Sequence, residues 1–125
     1  MHQPPLIGIV GPCASGKSTL SANLKRLGYR ARPIAQEHSF VPNMWQRLTK
    51  PDVLIFLDVS FAEAQRRRKM QWSEEDYREQ HRRLAHARAH ADFYLYTDGL
   101  TPHEVAERVI AFLNSMGVKS PKPTE

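Results

Sequence analysis

Residues 11–18 read G-P-C-A-S-G-K-S and satisfy every required position of the phosphate-loop pattern G-x-x-x-x-G-K-[ST]. An apolar, strand-like stretch precedes them at 6–10, and a segment with leucines at helical spacing follows at 17–27. This strand–loop–helix context suits phosphate binding, because the loop amides and the first helical turn then face the anion. The sequence therefore predicts that the chain binds a nucleoside triphosphate.

The residue types in this loop match the chemistry of polyphosphate binding. Gly11 and Gly16 allow backbone angles that let phosphates approach the main chain, and Lys17 supplies a cation for the β- and γ-phosphates. We expect the Ser18 hydroxyl to bind Mg²⁺, and Thr19 to contact the α-phosphate or support the first helical turn. The predicted nucleotide-binding residues are Gly11, Cys13, Ala14, Ser15, Gly16, Lys17, Ser18 and Thr19.

Cys13 is the single cysteine of the 125-residue chain. The adjacent lysine and helix N-terminus could make its thiol reactive, although a small residue that simply fits the loop is the more ordinary interpretation. One cysteine forms neither an internal disulfide nor a cysteine metal cluster, which favours a reducing, cytoplasmic setting. No apolar run approaches the roughly 20 residues that span a bilayer, so we expect no membrane partner.

The formal net charge of +5 suits an anionic ligand. Most positive residues lie between Arg66 and Arg88, where acidic residues interrupt them. Because no continuous basic stripe interleaves with aromatic residues, the pattern argues against nucleic acid as the main partner. The sequence leaves the oligomeric state open.

The hydrophobic pattern predicts alternating strands and helices. The predicted strands are 6–10, 29–35, 53–57 and 93–96, and the predicted helices are 17–27, 60–71, 73–90 and 101–117. Capping boxes at Ser60 and Thr101, and acids in the first turn after Ser73, mark three helix starts. Such alternation implies parallel pairing through right-handed crossovers. We expect one three-layer α/β domain over 1–119, with a mostly parallel sheet of four to five strands, and a disordered tail over 120–125.

Three segments together resemble the small P-loop kinases of nucleotides and other metabolites, such as thymidylate, adenylate, gluconate and dephospho-coenzyme A kinases. Besides the phosphate loop, segment 51–60 with the arginines at 66–68 resembles their fourth strand and the helix leading into an arginine-bearing lid. Segment 91–101 resembles their last strand and the loop beside the adenine. The resemblance implies a P-loop NTPase fold, ATP and Mg²⁺ as cofactors, and γ-phosphoryl transfer to a small anionic or polar acceptor.

The chain departs from these kinases where they bind the phosphate acceptor. They usually have a third strand that ends in an Asp-Arg pair, whereas only about 15 residues separate Glu37 from Val53. A crossover with its helix alone needs about a dozen residues. Either the acceptor is small or the chain is a shortened member with altered activity, and the acceptor is not identified.

The catalytic candidates are Lys17, Glu37 and Arg67. Glu37 follows the second predicted strand at the edge where parallel α/β domains place ligands; in deoxynucleoside kinases, which look similar here, a glutamate at this point acts as the base. An exposed loop acid is the alternative. Arg67 aligns best with the lid arginine of the resembling kinases, although a charged helix face also explains the arginine run. His38 could contact the acceptor or a phosphate.

The metal candidates are Ser18 and Asp58. Asp58 ends an apolar strand and could hold Mg²⁺ through water, although capping the following loop is the more ordinary role. Trp45 is expected to pack in the core or the lid, with stacking on a planar substrate as the alternative. His81, His86 and His90 are expected to be surface histidines rather than metal ligands.

Two functions stay open after the sequence is considered. A Mg-ATP-dependent small-molecule kinase is the leading hypothesis, because the arginine-rich segment after Asp58 suits a closing lid. An ATPase or regulatory nucleotide-binding module without an acceptor is the alternative, favoured by the missing acceptor region. A GTP-specific switch is least favoured, since no Asn-Lys-x-Asp guanine motif is present.

Overall fold

The protein is described here by a computed structural model over residues 3–69 and 71–120. Within this part of the chain the fold is α/β with one four-stranded, all-parallel sheet. The strands are β1 (Leu6–Val10), β2 (Arg30–Pro33), β3 (Val53–Asp58) and β4 (Phe93–Tyr96). The helices are α1 (Lys17–Arg26), α2 (Phe61–Arg68), α3 (Glu74–His90) and α4 (Pro102–Ser115). A 3₁₀ helix (Gln36–His38) and a π-helical turn (Trp45–Thr49) lie between β2 and β3.

The sheet order β2-β1-β3-β4 places β1 and β3 at the centre. All six residues of β3 are buried, as expected for a parallel strand covered on both faces. On one face, Ile7, Ile9, Ile55 and Leu57 pack with residues of α1 and α4. On the other face, Leu54 and Phe56 belong to a cluster that includes Trp45 and residues of α3. Helices on both faces thus hold the carboxyl ends of β1 and β3 side by side.

The predicted helix over 60–71 is too long. α2 ends at Arg68, and Lys69 takes a left-handed conformation with φ 49°. The predicted capping box at Ser60 is only half formed: the Ser60 hydroxyl accepts from the Glu63 amide. The Glu63 carboxylate instead accepts from the guanidinium groups of Arg66 and Arg67, because cations three and four residues along the helix attract it.

The other helix starts and three of the four strands agree closely with the sequence. Capping boxes are complete at Ser73 and at Thr101. The strand predicted over 29–35 is shorter, because the chain leaves the sheet after Pro33 and turns into the 3₁₀ helix. Apart from Ser120, whose hydroxyl donates to the Leu27 carbonyl, the predicted disordered tail 120–125 lies outside the described residues. No helix in the described part of the chain has the length and apolarity to cross a membrane.

Candidate functional site

The turn after β1, residues 11–16, is built from unusual backbone conformations. A Cβ on Gly11 would lie 2.1 Å from the Leu57 carbonyl oxygen, so only glycine lets the turn pass this close to β3. Gly16 has φ 98°, and apart from its neighbours in the chain no heavy atom of the described residues lies within 4 Å of the position its Cβ would take. Ala14 has φ 69°, which residues with a side chain rarely adopt. The turn is therefore held open and under local strain, as is common at ligand sites.

The N-terminus of α1 carries no side-chain cap, whereas Ser60, Ser73 and Thr101 cap the other three described α-helices. Gly16 occupies the capping position and has no side chain to offer. The first-turn amides of a helix need an acceptor, and the helix dipole favours an anion there. Nearby, the buried hydroxyl of Ser15 has no hydrogen-bond partner among the described residues. The turn therefore presents donors that suit an anionic ligand.

Lys17 and Glu37 form a nearly buried ion pair beside this turn. The Lys17 ammonium donates to Glu37 Oε2 at 2.7 Å and to the carbonyl oxygens of Gly11 at 2.9 Å and Pro12 at 3.4 Å. The side chains of Lys17 and Glu37 are 11% and 5% exposed. Glu37 Oε1 is buried and has no hydrogen-bond partner within the described chain. The predicted cation and the predicted base are thus in contact, with one carboxylate oxygen unpaired.

The thiol of Cys13 lies next to this pair. Cys13 Sγ is 3.7 Å from His38 Nε2, which is itself 3.7 Å from Glu37 Oε2. Gln80 on α3 holds Cys13 from the other side: its amide oxygen accepts from the Cys13 amide at 2.9 Å, and its amide nitrogen donates to Sγ at 3.2 Å. This double contact fixes the position of the thiol.

Arg67 connects the turn to the end of β4. Its guanidinium donates to the Ala14 carbonyl at 3.0 Å, to the Thr97 hydroxyl at 3.1 Å and to the Thr97 carbonyl at 2.9 Å. Its Nε donates to Glu63 at 3.0 Å. Arg67 therefore supports the strained conformation at Ala14.

Asp58, the metal candidate at the end of β3, is surrounded by donors. Oδ1 accepts from the Val59 amide at 2.9 Å and from His81 Nε2 at 3.0 Å, and Oδ2 accepts from the Tyr94 hydroxyl at 2.5 Å. Burial acts to raise the pKa of Asp58, but the bonds from His81, Tyr94 and the Val59 amide outweigh it and hold the pKa below 3.8. Asp58 caps the loop after β3, and its oxygens are occupied by protein groups.

His81 forms an ion pair with Asp58. Its Nε2 faces Asp58, and its Nδ1 lies 3.2 Å from the Tyr77 carbonyl oxygen. Because both ring nitrogens face acceptors, the geometry favours the doubly protonated imidazolium. The bond to Asp58 accordingly raises the pKa of His81 above 6.5, against the opposing effect of burial. The expectation of a plain surface histidine is therefore wrong for His81.

Two pockets lie on either side of the turn. One, of about 380 Å³, extends from the turn to an apolar end; its lining includes Ala14, Ser15, Gly16, Thr19, Leu20, Arg66, Arg67, Arg68, Thr97, Leu100, Pro102 and Val105. The other, of about 330 Å³, is polar; its lining includes Cys13, Ala14, Gly16, Lys17, Ser18, Thr19, Pro33, Ala35, Glu37, His38 and Arg68. Residues 14, 16, 19 and 68 line both pockets, so the two pockets are neighbours that share part of their walls.

The structure brings most predicted site residues to these pockets; Gly11 and Asp58 line neither of them. Trp45 is packed in the core, as expected, and its indole nitrogen donates to His86. Sequence reasoning missed Gln80 and Thr97, because their role depends on contacts with residues far away in the chain, and no local pattern marks them. No protein-family model and no curated protein matches the chain.

Proposed function

We propose that the chain is a P-loop protein that binds Mg-ATP and transfers its γ-phosphoryl group to a small polar acceptor. The observation that carries the proposal is the placement of two pockets on either side of residues 11–19, one with an apolar end and one lined by Lys17 and Glu37. A nucleotide across the turn would direct its base toward Leu100 and its γ-phosphate toward Glu37. The resemblance to small P-loop kinases in sequence supports the same arrangement.

The donor set at the turn fits Mg-ATP. The uncapped N-terminus of α1 and the unpaired Ser15 hydroxyl supply hydrogen-bond donors for phosphate oxygens. Lys17 supplies the cation, and the Ser18 hydroxyl would hold Mg²⁺, an ion that prefers oxygen ligands. Mg²⁺ would neutralise charge on the β- and γ-phosphates.

In this proposal, phosphate binding and activation of Glu37 are coupled. In the structure Lys17 bonds Glu37 at 2.7 Å. A γ-phosphate carries more negative charge than a carboxylate, so the Lys17 ammonium would bond the phosphate in place of Glu37. Glu37 would then be free to accept the proton of an acceptor hydroxyl. The acceptor oxygen forms a bond to the γ-phosphorus as the bond from that phosphorus to the ADP oxygen breaks, and ADP leaves with the released electron pair.

The arginines of α2 divide into two roles. Arg67 bonds Ala14, Thr97 and Glu63, so it acts as a positioning residue for the turn. Arg68 lines both pockets and is the arginine that we assign to the transferred phosphoryl group. The sequence-based choice of Arg67 as the catalytic arginine remains a prediction.

A second candidate function is an ATPase or regulatory module without an acceptor. It is favoured by the present state of Lys17, whose three ammonium protons have three protein acceptors: Gly11, Pro12 and Glu37. If this arrangement persists with nucleotide bound, Glu37 is not available as a base. Nucleotide binding would then signal the nucleotide concentration, and no phosphoryl group would be transferred.

The deciding experiment measures ATP binding by calorimetry and ADP release with Mg²⁺, with and without a panel of nucleotides, sugars and other small polyols. Acceptor-dependent ADP release supports the kinase; slow acceptor-independent release supports the second candidate. We expect Lys17→Met to weaken ATP binding at least about 10- to 100-fold, the value of a charge-assisted hydrogen bond. Lys25→Met, on the exposed face of the same helix, is the matched control. Absence of ATP and GTP binding to the folded wild-type protein would overturn the proposal.

A further inference from the structure

Cys13, Glu37 and His38 bring a thiol, a carboxylate and an imidazole to one point of the polar pocket. One ligand atom from each residue lies within 4.8 Å of the other two. Two of the separations, Cys13 Sγ to His38 Nε2 and His38 Nε2 to Glu37 Oε2, are 3.7 Å. The His38 side chain is 59% exposed, so the cluster is reachable from solvent.

We propose that these three residues form a binding site for a divalent cation that accepts thiolate ligands, with Zn²⁺ as the representative ion. Sulfur, imidazole nitrogen and carboxylate oxygen are the ligand types of zinc sites. Tetrahedral zinc at its usual bond lengths places such ligand atoms roughly 3.3–3.6 Å apart. The two 3.7 Å separations therefore need only a small contraction, and the third pair of ligand atoms, from Cys13 and Glu37, lies within 4.8 Å. On binding, the Cys13 thiol loses its proton to solvent and coordinates as thiolate.

The unpaired oxygen of Glu37 is an independent indication of a missing ligand. The Glu37 side chain is 5% exposed, and its Oε1 has no partner in the described part of the chain. A buried carboxylate oxygen without a partner is costly, and a cation bound through both oxygens of Glu37 removes that cost; the 3.7 Å separation from His38 is that of the other oxygen, Oε2. Gln80 adds the support expected around a metal ligand, because its amide contacts both the backbone nitrogen and the sulfur of Cys13.

Lys17 competes with a cation at this site. Its ammonium bonds Glu37 Oε2 at 2.7 Å and carries a like charge. Lys17→Met should therefore increase zinc affinity, because it frees the carboxylate and removes a repulsive charge. A gain of affinity is informative because loss of structure does not produce it.

The test titrates the nucleotide-free protein with Zn²⁺ against a chromogenic chelator, and with Co²⁺ while recording the absorption spectrum. We expect one equivalent of metal and a thiolate-to-cobalt charge-transfer band. Cys13→Ser and His38→Gln should each weaken Zn²⁺ binding at least about tenfold, and Cys13→Ser should abolish the band. His103→Gln, which replaces an exposed histidine on α4, should change nothing.

Three results would overturn the site. They are an absence of stoichiometric Zn²⁺ binding by the wild type, Zn²⁺ binding by Cys13→Ser and His38→Gln that is as tight as in the wild type, and loss of Zn²⁺ binding in His90→Gln. The last would place the metal on the stacked His86–His90 pair of α3. Circular dichroism of each variant confirms that it is folded. ATP binding is measured separately, so a failure here leaves the proposed nucleotide function untouched.

Discussion

Two buried carboxylates near the same edge of the sheet, Glu37 after β2 and Asp58 at the end of β3, have opposite surroundings. Both residues are almost completely buried, at 4% and 5% exposure; Glu37 pairs with Lys17, and Asp58 pairs with His81. Asp58 accepts three hydrogen bonds through both oxygens and lines neither pocket at the turn. Glu37 has one oxygen bonded to Lys17 and the other without a partner among the described residues, and it lines the polar pocket. A satisfied carboxylate stabilises the fold, whereas one with an open oxygen is available for ligand chemistry.

The physical reason is the cost of burying charge. A buried ionised group is tolerated when hydrogen bonds replace its lost water, as they do at Asp58. An oxygen of Glu37 that has no partner among the described residues costs free energy, and a ligand that supplied a partner would recover that cost. Functional sites commonly keep such unfavourable features.

The largest expected effect is on the reaction rate, and it concerns Glu37. For the kinase proposed above, Glu37→Gln should lower the rate of phosphoryl transfer about 10²- to 10⁴-fold, because the amide cannot accept the acceptor's proton. ATP affinity should hold or rise, since Lys17 is released for the phosphates. Single-turnover transfer with labelled ATP gives the rate, with Glu107→Gln on the exposed face of α4 as the control. An unchanged rate would remove Glu37 from the catalytic set.

The next largest expected effect is on the stability of the fold, and it concerns Asp58. Asp58→Ala should lower the free energy of unfolding by about 2–4 kcal/mol, because His81, Tyr94 and the Val59 amide lose their common acceptor. ATP affinity should stay within about twofold of the wild type. Denaturant titration and calorimetry measure the two quantities. If Mg-dependent ATP binding is lost while stability is retained, Asp58 belongs to the metal site after all.

The pair of Asp58 and His81 also predicts how stability varies with pH. The raised pKa of His81 means that its contribution is complete below pH 6.5 and is lost as pH rises through the higher folded-state pKa. The lowered pKa of Asp58 means that its contribution is complete above pH 3.8 and is lost as pH falls through the lower folded-state pKa. Urea titrations across this pH range measure the free energy of unfolding. In His81→Gln, the decrease of this free energy toward basic pH should disappear. An identical profile in that variant would mean that the pair is not ionised.

The smallest effect tests one bond of the satisfied acid. Burial and the bond to Asp58 raise the pKa of Tyr94 to about 12, so its hydroxyl donates at all ordinary pH values. Tyr94→Phe keeps the ring that stacks on Phe56 and removes only the hydroxyl, and should cost about 1 kcal/mol of unfolding free energy. Equilibrium unfolding measures it, with ADP release expected to be unchanged. If the cost is near zero, the other two donors, His81 and the Val59 amide, are enough to satisfy Asp58.

The parts of the molecule that sequence predicted well depend on local chemistry. The open turn needs Gly11 and Gly16 within a few residues of each other, and the caps at Ser73 and Thr101 are completed three residues later. The sequence predicts too long a helix for α2, because no glycine or proline marks its end. Its left-handed last turn at Lys69 has no comparable signal in the sequence.

The sequence predicts different roles for the two acids, a base at Glu37 and a metal site or a loop cap at Asp58, but it does not show which donors satisfy each carboxylate. Asp58 meets His81 and Tyr94, which lie 23 and 36 residues along the chain and which only folding brings near. Cys13 is fixed by Gln80 across 67 residues.

The sequence by itself determined the α/β alternation, the phosphate-loop pattern and the helix starts, because backbone angles and first-turn hydrogen bonds depend on neighbouring residues. The tertiary structure alone decided which carboxylate is satisfied, which arginine supports the turn, and that Cys13, Glu37 and His38 meet. Those outcomes depend on how parallel strands align their carboxyl ends and on which side chains of α2 and α3 then reach that edge, and no local pattern encodes such distances.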